Sequence, residues 1–169
     1  TFHYQWERLR SYANQKNISL IGDLPIFVAT DSCDTWANPD IFQLNEDLEP
    51  RYVAGVPPDY FSPQGQNWGS PLYNWDWLAE DNYDWWKKRF RHALKRYDAI
   101  RLDHFRGFQA YWAIPSEEKT AMEGRWFKGP GKAFFEAICE ELGPLPILAE
   151  DLGTITPEVE VLRQIFGFP

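Results

Sequence analysis

Cysteine and histidine are scarce in this chain, and their placement excludes several kinds of site. Cys33 and Cys139 are the only cysteines among 169 residues, and no CxxC or Cys/His metal spacing occurs. Two distant thiols do not form the disulfide framework of a small secreted domain, so we expect reduced thiols and a cytoplasmic protein. The three histidines share no ligand-like spacing. The sequence therefore predicts no metal site.

Long hydrophobic runs and an excess of basic residues are also missing. The chain contains neither an apolar run long enough to span a bilayer nor a charged-then-apolar leader, so we expect no membrane span and no signal peptide. It carries 17 basic and 25 acidic side chains, a formal net charge of −8. Nucleic acids and anionic membranes require clustered Lys and Arg, so neither is an expected partner.

Aromatic residues, by contrast, are abundant. Nine Trp, eight Tyr and twelve Phe make up 17% of the chain. Since aromatic side chains are mostly buried, we expect the larger part of them to form the core. The remainder can present flat apolar faces to a ligand that has apolar faces of its own, such as a sugar ring.

Hydrophobic periodicity predicts alternating helices and short strands. Helices are expected over residues 2–17, 82–97 and 131–142 and from Thr156 onward, with Pro157 in the first turn. Apolar runs at 18–23, 99–103 and 146–151 read as strands. Residues 25–73 and 107–130 look irregular, and connections of that length are usually functional. This order is typical of parallel βα units, so the predicted class is α/β.

Each predicted strand ends in a carboxylate. Asp23, Asp103 and the pair Glu150 and Asp151 stand at the three carboxyl ends. In (β/α)₈ TIM barrels the active site lies at this end of the strands. Three strands cannot close a barrel, so the chain is either a smaller α/β sheet or part of a larger barrel. We expect residues 1–169 to be a segment of a catalytic barrel domain that is incomplete at both ends, with about three parallel βα units and long loop insertions.

Asp103 and Glu150 are the candidate catalytic pair. Cleavage of a glycosidic bond needs an acid and a carboxylate, and in retaining enzymes the two lie roughly 5–5.5 Å apart. Neighbouring strands are about 4.8 Å apart, so equivalent strand tips fall in that range. Arg101 points to the same face as Asp103 and can orient its carboxylate. The alternative is an Asp that caps a turn and forms a plain ion pair with Arg101. Spacing alone does not distinguish a glycosidase from another acid/base enzyme.

Four segments in order resemble the amylomaltases, the 4-α-glucanotransferases of glycoside hydrolase family 77, which are related to α-amylases. Residues 100–108 (IRLDHFRGF) resemble the nucleophile motif and residues 147–153 (ILAEDLG) the acid/base motif. Residues 22–28 (GDLPIFV) match an earlier strand-tip motif. Residues 55–62 (GVPPDYFS) and 65–73 (GQNWGSPLY) are similar to a loop over the sugar site. These segments are distributed between residues 22 and 153, along almost the whole chain.

The resemblance implies a retaining double displacement on α-1,4-glucans and malto-oligosaccharides. Asp103 would be the nucleophile and Glu150 the general acid/base, with no organic cofactor and no metal required. Asp23 would bind the sugar in the −1 subsite. The loop residues that would contact donor and acceptor sugars are Tyr60, Phe61, Gln66 and Trp68. His104 and Asp151 also match, but they could merely support their catalytic neighbours.

The family also uses a third acidic residue on a later strand, and this sequence ends at Pro169 before such a strand. We therefore expect residues 1–169 alone to be inactive and prone to self-association through unpaired strands. Two other functions stay open: an α-glucan hydrolase of the α-amylase group, and a non-catalytic α-glucan-binding fragment. Product size distinguishes the first, because only a transferase also makes longer sugars. The intact trio of Asp103, Glu150 and Arg101 argues against the second.

Overall fold

The computed structural model describes all of residues 1–169. It contains six α-helices and seven strands. The helices are α1 (Phe2–Gln15), α2 (Cys33–Ala37), α3 (Trp75–Glu80), α4 (Asp84–Leu94), α5 (Gly131–Leu142) and α6 (Pro157–Ile165). The strands are β1 (Ile21–Leu24), β2 (Tyr52–Val56), β3 (Gln66–Pro71), β4 (Ala99–Leu102), β5 (Ala110–Pro115), β6 (Arg125–Lys128) and β7 (Ile147–Ala149). Short 3₁₀ turns cover Pro39–Ile41 and Phe105–Phe108. No helix is both long enough and apolar enough to cross a membrane.

The three predicted strands form one parallel sheet in the order β1-β4-β7. Side chains alternate across it, so Leu24, Ile100 and Leu102 are buried on one face. Phe90 of α4 and Phe135 of α5 belong to the same buried cluster, as does Leu162 of α6. The expected α/β class with parallel βα units is confirmed. The opposite face is open: Ile21 is 56% exposed, although it lies in a strand.

The helix expected over residues 82–97 is shorter than predicted. Asn82 and Tyr83 both have left-handed backbone angles, with φ of 57° and 58°. L-residues do not continue a right-handed helix in that conformation. The helix α4 therefore begins only at Asp84. The separate helix α3 ends at Glu80, before these two residues.

The prediction that residues 25–73 and 107–130 are irregular is wrong for much of both stretches. They contribute a second, antiparallel sheet in the order β3-β2-β5-β6. Its strands have only four to six residues, and β3 contains both Gly69 and Pro71. The register of β2 against β3 is also interrupted between Val53 and Gly55. These strands form because segments that are distant in sequence pair with one another. Local hydrophobic periodicity does not reveal such pairing.

The aromatic residues supply most of the large buried side chains. Twelve are buried, and six more pack half-buried against the buried clusters. Trp86 is central, since its ring lies within 5.5 Å of both Phe108 and Phe134. Phe108 lies in the turn that follows β4. The packing of Trp86 against Phe108 and Phe134 therefore holds the chain segment just beyond the carboxyl end of β4.

Asp98 joins α1 to the parallel sheet. Its carboxylate accepts hydrogen bonds from Arg10 Nε at 2.8 Å, Asn14 Nδ2 at 2.9 Å and the backbone N–H of Leu20 at 2.8 Å. The hydrogen bond from Leu20, followed by those from the two side chains, lowers the pKa of Asp98 from 3.8 to about 2. The Asp98 carboxylate is therefore ionised in the folded protein at neutral pH.

We expect Asp98→Ala to lower the free energy of unfolding at pH 7 by about 1.5–3 kcal/mol, because it removes hydrogen bonds to a charged acceptor. A pKa lowered by folding stabilises the protein above the unfolded-state pKa, and this stabilisation is lost as pH falls toward the folded-state value. The difference between variant and wild type should therefore narrow below pH 4. Denaturant unfolding from pH 7 downward measures it. Asp47→Ala, at an exposed loop position, is the control, and an equal loss there would contradict the assignment.

Candidate active site

Arg101 lies at the centre of the carboxyl ends of the parallel strands. Its Nη1 donates to Asp23 Oδ1 at 2.5 Å and to Asp103 Oδ1 at 3.1 Å. Its Nη2 donates to Glu150 Oε2. One guanidinium thus binds a carboxylate from the tip of each strand, and together these raise the Arg101 pKa further, with the hydrogen bond to Asp23 as the largest cause.

Strand pairing explains why these side chains meet. Asp23 and Arg101 are register partners across β1 and β4, and Arg101 pairs with Leu148 across β4 and β7. Beyond the strands, the N–H of Asp103 donates to Leu24 O at 3.1 Å and that of Glu150 donates to Leu102 O at 3.2 Å. The backbone at both tips is therefore held by the neighbouring strand.

Asp103 and Glu150 accept hydrogen bonds from the same guanidinium, that of Arg101, so the two carboxyl groups are neighbours. The two environments differ. The Asp103 side chain is 37% exposed and that of Glu150 only 11%. Glu150 Oε2 also accepts from the backbone N–H of His104 at 3.1 Å.

The pKa of Glu150 is raised above its ordinary value of 4.5. Burial is the largest cause and the adjacent Asp103 the next, while the His104 N–H and the charge of Arg101 oppose them. A carboxyl group with a raised pKa beside an exposed carboxylate matches the division between proton donor and nucleophile in glycoside cleavage.

A cavity of about 320 Å³ opens beside this pair. Its lining includes Asp103, Glu150, Gln66, Trp68, His104 and Arg106. Three larger cavities, of about 340, 470 and 540 Å³, contain neither Asp103 nor Glu150, although Asp23 lines the largest of them. The chemistry of the lining, and not the volume, therefore identifies the candidate site.

The loop residues divide into two groups. Gln66 and Trp68 line the cavity, and Trp68 Nε1 donates to Gln66 Oε1 at 3.0 Å. Tyr60 and Phe61 are 94% and 91% exposed, pack edge-to-face at 5.6 Å and lie outside the cavity lining. Asp59 fixes this turn, because its Oδ1 accepts from the N–H of Phe61 at 2.9 Å.

Three further residues at this site are not among the predicted contacts. His104 is buried with a left-handed φ of 48°, and its ring packs edge-to-face on Trp68 at 4.9 Å. Arg106 is buried and stacks on Trp126 of β6. His104 and Arg106 stand within the segment resembling the nucleophile motif, so their proximity to Asp103 could have been suspected. Trp126 carries no such signal, because it reaches the site through strand pairing.

Residues 1–169 match the profile of the protein family described as 4-alpha-glucanotransferase. The chain belongs to this family. It is 54% identical over 167 residues to the 4-alpha-glucanotransferase of Synechocystis, covering 98% of this chain and 33% of that protein. It is 54% identical over 168 residues to that of Thermus thermophilus, covering 99% and 34%. The chain thus spans about a third of the length of these relatives.

Solved structures of the 4-alpha-glucanotransferase family give the same result. The amylomaltase of Streptococcus agalactiae, solved in complex with acarbose, superposes with a TM-score of 0.95 at 48% identity, covering 99% of this chain and 34% of that one. The amylomaltase of Corynebacterium glutamicum gives 0.84 at 25% identity, covering 98% and 23%. The resemblance seen in the sequence is confirmed.

Proposed function

We propose that residues 1–169 carry the nucleophile and the acid/base of a 4-α-glucanotransferase that transfers α-1,4-glucan segments between malto-oligosaccharides. The observation that supports this most directly is the joint contact of Asp103 and Glu150 with Arg101 at the wall of one cavity. A binding fragment does not need a carboxyl pair with divergent environments.

The open face of the parallel sheet supports the segment interpretation. Parallel sheets occur with both faces covered, yet Ile21 and Asp23 of β1 project from an uncovered face. Closure of a (β/α)₈ barrel would turn this face inward and gather the strand tips at one end. In this proposal residues 1–169 are part of a catalytic barrel domain, and the third acidic residue of the family lies on a later strand of the full-length protein. The isolated segment would then be inactive.

The reaction proceeds in two half-reactions with retention of configuration. Asp103 attacks the anomeric carbon of the donor glucan while Glu150 protonates the departing glycosidic oxygen. The bond from the anomeric carbon to that oxygen breaks, and a covalent glycosyl-Asp103 ester remains. Glu150, now ionised, removes the proton from the 4-hydroxyl of an acceptor glucan. The resulting oxygen displaces Asp103 and restores the α configuration.

Arg101 has a positioning role in this mechanism. It contacts both catalytic carboxyl groups and Asp23, so it fixes their relative orientation. In this proposal Asp23 accepts hydrogen bonds from the sugar in the −1 subsite. Gln66 and Trp68 contact sugars within the cavity, while the exposed pair Tyr60 and Phe61 is available to a longer chain beyond it.

The proposal is tested by incubating the full-length protein that contains this segment with maltotriose and separating the products by size. We expect glucose together with maltopentaose and longer chains, because transfer lengthens one product as it shortens the other. Glucose and maltose alone would identify an α-glucan hydrolase. Unchanged maltotriose would leave the glucan-binding function.

A further inference from the structure

Arg106 is a buried cation at the site wall with no acidic partner. Its side chain lies in the turn Phe105–Phe108 and is 4% exposed. No carboxylate forms a salt bridge with it, and its Nε and Nη1 are enclosed without a hydrogen-bond partner. It nevertheless lines the cavity that contains Asp103 and Glu150.

Stacking on Trp126 accounts for only part of this arrangement. The guanidinium carbon lies 3.8 Å from the centre of the Trp126 ring, so one face of the guanidinium is covered. Cation–π stacking engages that face. The N–H donors of Nε and Nη1 lie in the guanidinium plane and have no partner, and unpaired buried donors are costly. Trp126 therefore holds a planar set of donors at the cavity wall without satisfying it.

A second unpartnered group lies beside it. His104 is 7% exposed, lines the same cavity, and its Nε2 has no hydrogen-bond partner. Burial first, and the charge of Arg106 second, lower the pKa of His104 to about 4. The imidazole is thus neutral near neutral pH, so Arg106 is the cation on this wall.

We propose that Arg106, held in place by Trp126, donates hydrogen bonds to the hydroxyl groups of the acceptor glucose ring, and that this contact favours transfer over hydrolysis. The inference rests on the proposed glucanotransferase function and extends it to a residue for the acceptor. Nη2 is not among the enclosed atoms, and its two N–H donors lie in the guanidinium plane, a geometry that suits two neighbouring hydroxyl oxygens of one sugar ring.

Charge and position both favour the acceptor side. The donor sugar passes through a transition state with oxocarbenium character, and an unpaired cation beside it would be destabilising. The charge of Arg101, on the donor side, is balanced by three carboxylates. Arg106 instead faces the antiparallel sheet through Trp126 of β6, and the same sheet brings Gln66 and Trp68 to the cavity. An incoming neutral sugar meets no electrostatic penalty there.

The test separates the two half-reactions in the full-length protein. α-Maltotriosyl fluoride serves as donor, since its leaving group needs no acceptor-side contact, and glucose serves as acceptor. We expect Arg106→Met to raise the acceptor KM by roughly 10- to 100-fold, as loss of hydrogen bonds from a charged donor does. The burst of fluoride release should change less than threefold. The ratio of hydrolysis to transfer should rise. Arg106→Lys should have an acceptor KM between those of the wild type and Arg106→Met.

Arg125→Met is the matched control. Arg125 also stacks on an aromatic ring, at 4.9 Å from Phe127, but it is exposed and lies outside the cavity lining. Its acceptor KM should equal that of the wild type. If Arg106→Met leaves both the acceptor KM and the transfer-to-hydrolysis ratio within twofold, the inference is wrong and Arg106 serves packing alone. If the wild type releases no fluoride, the proposed function itself fails.

Monodeoxy glucose acceptors provide a test that does not depend on the folding of a variant. If Arg106 binds ring hydroxyls, the wild type should lose roughly 10-fold in transfer to at least one of 2-, 3- or 6-deoxyglucose, and Arg106→Lys should reduce that loss. Equal transfer to glucose and to all three deoxy sugars would overturn the inference.

Discussion

Asp103→Asn in the full-length protein should lower glucan transfer from maltotriose by at least about 10,000-fold, the order of loss that follows removal of a catalytic nucleophile. Asparagine keeps the shape of aspartate and an oxygen that can accept from Arg101, so the site should stay assembled. The amide does not attack the anomeric carbon at a useful rate. Product separation after prolonged incubation measures the residual activity.

Two controls show whether the loss belongs to the nucleophile. Asp47→Asn changes an exposed loop carboxylate and should transfer at the wild-type rate. A fluorinated glycosyl donor should leave a covalent adduct that mass spectrometry detects in the wild type and not in Asp103→Ala. An adduct that persists in Asp103→Ala would remove Asp103 as the nucleophile.

The parallel sheet and its carboxyl ends were predictable because their causes are local. Each strand is a short apolar run ended by a carboxylate, and a helix with an apolar stripe precedes it. Parallel pairing then brings all strand tips to one edge, whatever the loops do. Asp23, Asp103 and Glu150 meet at Arg101 for this reason. The α5 helix, expected over residues 131–142, has those bounds in the structure.

The antiparallel sheet was not predictable, because its strands are short and depend on long-range pairing. Gly55 lies in β2, where a Cβ atom would meet the backbone oxygen of Gln66 at 2.1 Å. In the sequence this glycine reads as a loop signal, although close strand approach requires it. The same sheet brings Trp126 onto Arg106, so this contact at the cavity wall could not be predicted from local sequence patterns. Tyr60 and Phe61 precede Gln66 by only a few residues but lie outside the cavity lining, in a turn where the N–H groups of Phe61 and Ser62 donate to Asp59 Oδ1.

The raised pKa of Glu150 leads to the second large effect. Glu150→Gln should lower transfer from maltotriose by roughly 10²- to 10⁴-fold, the contribution of a positioned general acid. A glucosyl oxygen is a poor leaving group and needs the proton that Glu150 supplies. Fluoride leaves without one, so the first burst from α-maltotriosyl fluoride should be affected far less. An equal loss with both donors would indicate that the substitution disturbs the site instead of removing the acid.

The pH profile tests the same role independently. The donor step requires protonated Glu150, so the wild-type rate with maltotriose should fall as pH rises through the Glu150 pKa. Burial and the neighbouring Asp103 move that pKa upward from 4.5, which shifts the alkaline limb toward neutral pH. Glutamine does not titrate, so Glu150→Gln should lose this limb while its residual rate stays low. A limb at the same pH in the variant would assign the titration to another group, and Glu150 would no longer be the proton donor.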